Sequence, residues 1–191
     1  MGQGERVLEF WFGNDFRHTE PQPQKKWFEK DAVFDQTVRE WFLGTYEQAV
    51  AARLTDWMET AAGALALTIV LDQFPRNMFR GTAKAFASDG QALMVANHAL
   101  DRDFDQDLPP VMRIFFYLPF EHSENLVNQN RCVQLLKPFS TDPQLGRYYE
   151  YALKHQAVIE QFGRFPHRNL ILGRSSTPAE TEFLKQPGAA F

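Results

Sequence analysis

The sequence predicts an all-α protein, with about eight helices set around one buried central helix, given ordinary helix and loop lengths. Three observations carry this. Apolar residues recur at i, i+3 and i+4 in nearly every long segment, which is the spacing of one helix face. The segment Ala61–Leu71 lacks a polar face, so other elements must enclose it. No alternating apolar–polar run bounded by hairpin turns stands out.

The elements follow in order. Val7–Phe12 is a short apolar segment stopped by Gly13, and Asn14–Gln24, with Pro21 and Pro23, reads as a loop crossing the surface. Phe34, Val38, Trp41, Phe42, Thr45, Ala49 and Ala52 form a helical stripe. In the central helix Thr68 is the one polar side chain, and its hydroxyl can bond back to its own helix. Asp72 is expected to close that helix, because Pro75 lacks an N–H and clashes with the preceding turn. The chain is then expected to bend at Phe74-Pro75 and make one more turn, ending at Gly81.

Ser88 and Gln91 have capping-box spacing before the stripe Leu93, Ala96, Ala99 and Leu100. A loop is expected over Asp101–Asp107. Pro109-Pro110 suits a helix start ahead of Ile114-Phe115-Phe116-Tyr117-Leu118, and another loop is expected over Leu118–His122. Ser123 reads as an N-cap with Glu124 in the first turn, leading into Leu126, Val133 and Leu136 with Gln129 and Asn130 in the gap. Asp142-Pro143 reads as N-cap and first-turn proline for Leu145, Tyr148, Ala152, Ile159 and Phe162, with His155 on the same face as a hydrogen-bonded core histidine. Gly163 marks the stop, Phe165–Ser176 is a loop, and Thr177-Pro178-Ala179-Glu180 combines a capping box with a first-turn proline. No low-complexity linker divides the chain, so residues 1–191 read as a single domain.

Composition narrows the function. Apolar residues make up 44% of the 191 and phenylalanine occurs 18 times, so the core should be packed and rich in aromatics. A formal net charge of −4 disfavours a nucleic-acid binder, which needs a basic surface. The lone Cys132 rules out an internal disulfide and fits a reducing compartment. No signal-peptide pattern is visible, and Ala61–Leu71 is too short to span a bilayer, so a soluble cytoplasmic protein is expected. Phosphate-loop, dinucleotide, nucleophile-elbow and HExxH patterns are missing, and the five histidines are scattered, so neither a cofactor nor a metal is expected.

What remains is a polar constellation beside strongly apolar sequence. Asp72-Gln73-Phe74-Pro75-Arg76-Asn77 runs on to Arg80, and Arg164-Phe165-Pro166-His167-Arg168-Asn169 runs on to Arg174. Guanidinium groups there are costly unless something anionic meets them. Arg76 can fold back on Asp72 as a structural clamp, or project with Arg80 into a cleft, since residues four apart share a helix face. The second phrase follows a helix end, where positive charge suits the dipole; that explains Arg164 well, but Asn169 and Arg174 poorly. No acidic residue lies between Gln161 and Pro178, so Glu121, Glu124 or a bound anion are the candidate partners of this group. Tyr117 opens the third phrase, in which Glu121 and His122 have no capping role. His122 and His167 are the candidate acid–base residues.

Three phrases together resemble one family: Leu71 to Gly81, Phe116 to Glu124, and Gly163 to Asn169 with Leu172-Gly173-Arg174. The opening Val7-Leu8-Glu9-Phe10-Trp11-Phe12-Gly13 and the Trp27-Phe28 to Asp31 stretch match as well. They resemble a bacterial domain-of-unknown-function family with a tetratricopeptide-like helical fold. The resemblance spans Glu5 to Leu184 and implies a tetratricopeptide-like helical array, with no established activity. One departure is Thr60-Ala61 where Thr-Pro is expected, which still leaves Thr60 as N-cap. No 34-residue period is present, and Trp41 to Tyr46 fails the repeat spacing.

The first functional reading is therefore a binding protein holding a small anion or an acidic peptide end. Its candidate contacts are Asp72, Gln73, Arg76, Asn77, Arg80, Tyr117, Glu121, His122, Arg164, His167, Arg168, Asn169 and Arg174. The second is a scaffold for a protein partner, with structural polar motifs. The third is a hydrolase or transferase acting on a phosphorylated or carboxylated substrate, with histidine acid–base chemistry.

Overall fold

The computed structural model describes residues 2–189. Among these described residues eight α-helices run in order: α1 (Gln3–Phe12), α2 (Ala32–Val50), α3 (Ala61–Met78), α4 (Asp89–Asp101), α5 (Pro110–Glu121), α6 (Leu126–Leu136), α7 (Gly146–Phe162) and α8 (Pro178–Phe183). Single 3-10 turns punctuate the connections, including Ala83–Phe86 and Pro166–Arg168. Among the described residues there is no strand, and no helix is long and apolar enough to cross a membrane.

α3 is the hub. Every residue from Ala64 to Pro75 is buried, and the helix packs against α1, α2, α4 and α5. Thr60 caps it by accepting from the Gly63 N–H, and the buried Thr68 hydroxyl returns to Ala64 O at 2.8 Å. Around it aromatic rings pack together, several of them edge to face. Trp11 meets Phe74 at 5.6 Å and Phe115 at 5.8 Å between ring centroids. The Trp27 indole closes this cluster by donating to Trp11 O at 2.9 Å.

The expected break at Pro75 does not occur. α3 continues to Met78, so Asp72 lies inside the helix rather than at its end. Proline leaves the carbonyl four residues earlier, Leu71 O, without its helical donor. Ser88 supplies one: its hydroxyl donates to Leu71 O at 2.6 Å. That use of Ser88 displaces the expected capping box, because no side-chain bond caps α4 and Gln91 donates instead to Val50 O.

Other boundaries shift for similar reasons. The loop expected over Leu118–His122 is helical to Glu121, since α5 is buried on nearly every side and Pro119 removes only one bond near its end. Asn125, not Ser123, caps α6 by accepting from Val127 N. α7 starts at Gly146 rather than beside Asp142-Pro143. Asp142 caps the preceding turn, accepting from Gln144 N and Leu145 N at 2.8 Å each. Glycine is needed at 146, where a Cβ would lie 2.9 Å from Ser140 O. Trp41 falls outside the buried stripe of α2 and is 60% exposed. The capping box at Thr177 and the left-handed Gly163 (φ 68°) stand where the sequence puts them.

Ser88→Ala should destabilise the protein by about 1–3 kcal/mol, the cost of a stranded buried carbonyl. Pro75→Ala restores an N–H able to serve Leu71 O, so the loss should shrink in the double variant. Chemical denaturation of the four-protein cycle measures this coupling, and an undiminished loss would contradict the assigned hydrogen bond.

Candidate functional site

Parts of the second and third polar phrases line one cleft of about 330 Å³, and the first phrase lies behind its wall, reaching it through contacts to Asp89 and His122. Behind the wall the C-terminal half of α3 places Asp72 and, one turn on, Arg76. The first turn of α4 brings Asp89, the end of α5 brings Glu121 and then His122, and the Pro166–Arg168 turn brings Arg168. Phe86, Leu93, Pro119 and Leu172 form apolar walls around Asp89, His122 and Arg168. A smaller cleft of about 200 Å³ between α1 and α2 is lined by Gln3, Arg6, Trp41 and Thr45, with one charged side chain only.

Asp72 organises the polar side. It is fully buried. Its Oδ1 lies 2.8 Å from His122 Nδ1 and 3.3 Å from an Arg76 nitrogen, while Oδ2 accepts from Gln73 Nε2 at 2.5 Å. Burial pushes this carboxyl up, but Arg76 and then His122 overcome it and hold its pKa at about 2. Arg76 also forks onto both oxygens of Asp89, at 3.0 and 3.1 Å. The expected Arg76–Asp72 clamp is therefore present, within an unbroken helix.

Burial and the Arg76 charge lower the His122 pKa, and Asp72 opposes them only in part. His122 is thus a neutral imidazole near neutral pH. Because Asp72 is ionised, Nδ1 carries the proton and donates it. Nε2 keeps its lone pair, and it bonds to nothing among the described residues although His122 lines the cleft.

Arg168 is 6% exposed. Its Nη1 donates to the His122 carbonyl at 3.0 Å, and its guanidinium stacks on Phe165 at 4.4 Å and Phe86 at 4.7 Å. Asp89 stands 3.7 Å away, but its oxygens are already engaged by Arg76. Arg168 Nε is buried without an acceptor. Burial, followed by repulsion from Arg76, brings the Arg168 pKa down to about 10, so its charge is poorly compensated.

Behind the cleft, Glu121 is buried with Oε2 unbonded, and its other oxygen lies 3.6 Å from His155 Nδ1. Burial and then the Asp72 charge raise Glu121 to about 8, so it is a neutral acid at pH 7. His155 donates to Tyr151 O at 2.9 Å, the role of a core histidine.

Other sequence candidates face elsewhere. Asn77 and Arg80 both bind Asp35 of α2, at 2.7 Å each, so Arg80 does not join Arg76. Tyr117 donates to Asp105 at 2.7 Å. Arg164 pairs with Glu180, which also serves the Thr177 capping box. Arg174 forks onto Glu124 and bonds Asn169, which donates to Ser176. Burial and then Arg168 lower the His167 pKa to about 4, and the ring packs 5.6 Å from Phe165. Asp35 and Asp89 were not candidates, since each reads in sequence as an ordinary first-turn carboxylate. Among the described residues no group of three His, Cys, Asp or Glu side chains converges as metal ligands would.

Glu121 sets a pH dependence. Its folded pKa of about 8 exceeds the ordinary 4.5, so the stability it confers is complete below 4.5 and lost as pH rises towards 8. Asp72 has the opposite sign: its contribution is complete above 3.8 and disappears as pH falls towards about 2. Glu121→Gln mimics the neutral acid, so it should remove a fall on the order of a few kcal/mol between pH 5 and 8. Thermal denaturation of both proteins across that range reads this out, and equal slopes would contradict the assignment.

The family described as bacterial protein of unknown function (DUF924) matches residues 7–188. A solved protein of unknown function from Agrobacterium tumefaciens is 40% identical, with a TM-score of 0.85 over 95% of this chain and 96% of that one. No curated protein matches. With nearly its whole length matched, the chain belongs to the bacterial family DUF924.

Proposed function

We propose that this protein binds a small anion, a carboxylate or phosphate group of a metabolite or an acidic peptide end, in the cleft between α4, the α5–α6 junction and the Pro166–Arg168 turn. One observation carries the reading. Arg168 is a buried guanidinium on the cleft wall with an unfilled donor, and its nearest carboxylate is already forked by Arg76. Arg76, Arg80 and Arg164 have resident carboxylates, which leaves Arg168 as the recognising group. The apolar walls and the volume suit a small molecule. The tetratricopeptide-like arrangement belongs to the same proposal, supported by sequential packing of α2 on α3, α3 on α4, α5 on α6 and α6 on α7.

Calorimetric titration with sulfate, phosphate and succinate tests it. Arg168→Lys keeps a charge but loses the fork, and should weaken binding by at least ~10-fold, the scale of one charge-assisted bond. Arg102→Ala, on the exposed surface, should bind as the wild type does. Affinity unchanged in both Arg168→Lys and Arg168→Ala would reject the proposal. A thermal melt of each variant separates lost binding from lost folding.

A further inference from the structure

Resting on that reading of Arg168, we infer that the cleft is also a hydrolytic site, in which His122, oriented by Asp72, is the general base for attack of water on an ester whose acyl group carries a free carboxylate.

The geometry is that of a base rather than a packing histidine. A buried, ionised carboxylate fixes the ring through Nδ1 at 2.8 Å, and Nε2 keeps its lone pair on a ring that lines the cleft. Gln73 and Arg76 occupy the remaining valences of Asp72, so the carboxylate orients the imidazole without taking its proton. The anion site and the base share one frame, because Arg168 donates to the backbone carbonyl of His122 itself. Both side chains line the one cleft, so the inference places a substrate held by its carboxylate on Arg168 beside the His122 ring.

Water is the nucleophile in this inference, because Ser123, although it also lines the cleft, makes no hydrogen bond to His122. Ser123 adjoins His122 in the chain, but its Oγ accepts from Asn128 Nδ2 at 2.9 Å and Asn125 N at 3.3 Å. Cys132 is fully buried, and burial holds its thiol well above the ordinary value. In the step, Nε2 takes one proton from water and the water oxygen bonds to the acyl carbon. The ester C–O bond then breaks, and the Nε2 proton passes to the departing alkoxide. A carboxylic acid and an alcohol leave, with no change of oxidation state. A carboxylate suits the site better than a phosphate dianion, since Asp72 and Asp89 already meet Arg76 and only one edge of the Arg168 guanidinium is unfilled.

The test follows release of 4-nitrophenol from its hemisuccinate ester, with the neutral acetate ester alongside and succinate binding measured on the same protein. The wild type should hydrolyse the hemisuccinate in preference to the acetate. His122→Gln should cut kcat by at least ~100-fold, the usual scale of acid–base catalysis, while still binding succinate. Asp72→Asn should lower kcat more than it changes KM, and Arg168→Lys should raise KM. The pH profile should rise to a plateau through a pKa below 6.5, since burial and then the Arg76 charge lower it against the opposing pull of Asp72 and Asp89. Succinate binding with no turnover above buffer, or turnover that survives His122→Gln, would overturn the hydrolytic inference while leaving the anion site standing. Failure of succinate to bind would overturn both.

Discussion

The carboxylate of Asp72, ionised and closed off from water inside α3, is the constraint on which the cleft depends. An isolated charge there would cost far more than the fold can supply. The surrounding side chains answer that cost in order. Arg76 reaches back one turn, His122 donates from the end of α5, and Gln73 fills the remaining oxygen. Arg76 then needs a second carboxylate, which fixes Asp89 at the start of α4. Thus α3, α4 and α5 are tied by one charge network, and the cleft opens where it reaches the surface.

Continuity of α3 through Pro75 makes this possible. A bend at that residue would swing Arg76 away from Asp72 and break the i, i+4 pairing. The Ser88 hydroxyl substitutes for the missing N–H, and Ser88 and Asp89 arrive together at the head of α4. One residue repairs the helix backbone while its neighbour completes the charge network. Glu121, next to this network, stays neutral because burial and then the Asp72 charge outweigh the pull of Arg76. Its protonation spares the site a second buried negative charge.

Much of this was readable from residue spacing, and the failures have a common cause. The buried hub, the caps at Thr60 and Thr177 and the stop at Gly163 are local signals, written within a few residues of each other. The fate of Pro75 is not local, because its compensating donor lies 17 residues from the carbonyl it serves. The partners of Arg80 and Arg174 lie 45 and 50 residues away, so spacing alone made Arg80 a plausible neighbour of Arg76. Asp35 and Asp89 were invisible for a related reason: a carboxylate in a first helical turn already has a sufficient local explanation. His122 stood out in sequence because no cap, stripe or turn accounted for it.

The central claim is that Asp72 is charged and that His122 is neutral, protonated on Nδ1 and open at Nε2. Nitrogen-15 NMR of the imidazole rings at pH 7, with His122 assigned by its loss in His122→Gln, addresses this directly. The account predicts a neutral ring with the proton on Nδ1 and a lone-pair signal at Nε2. A proton on Nε2 alone, or a doubly protonated ring, would contradict it.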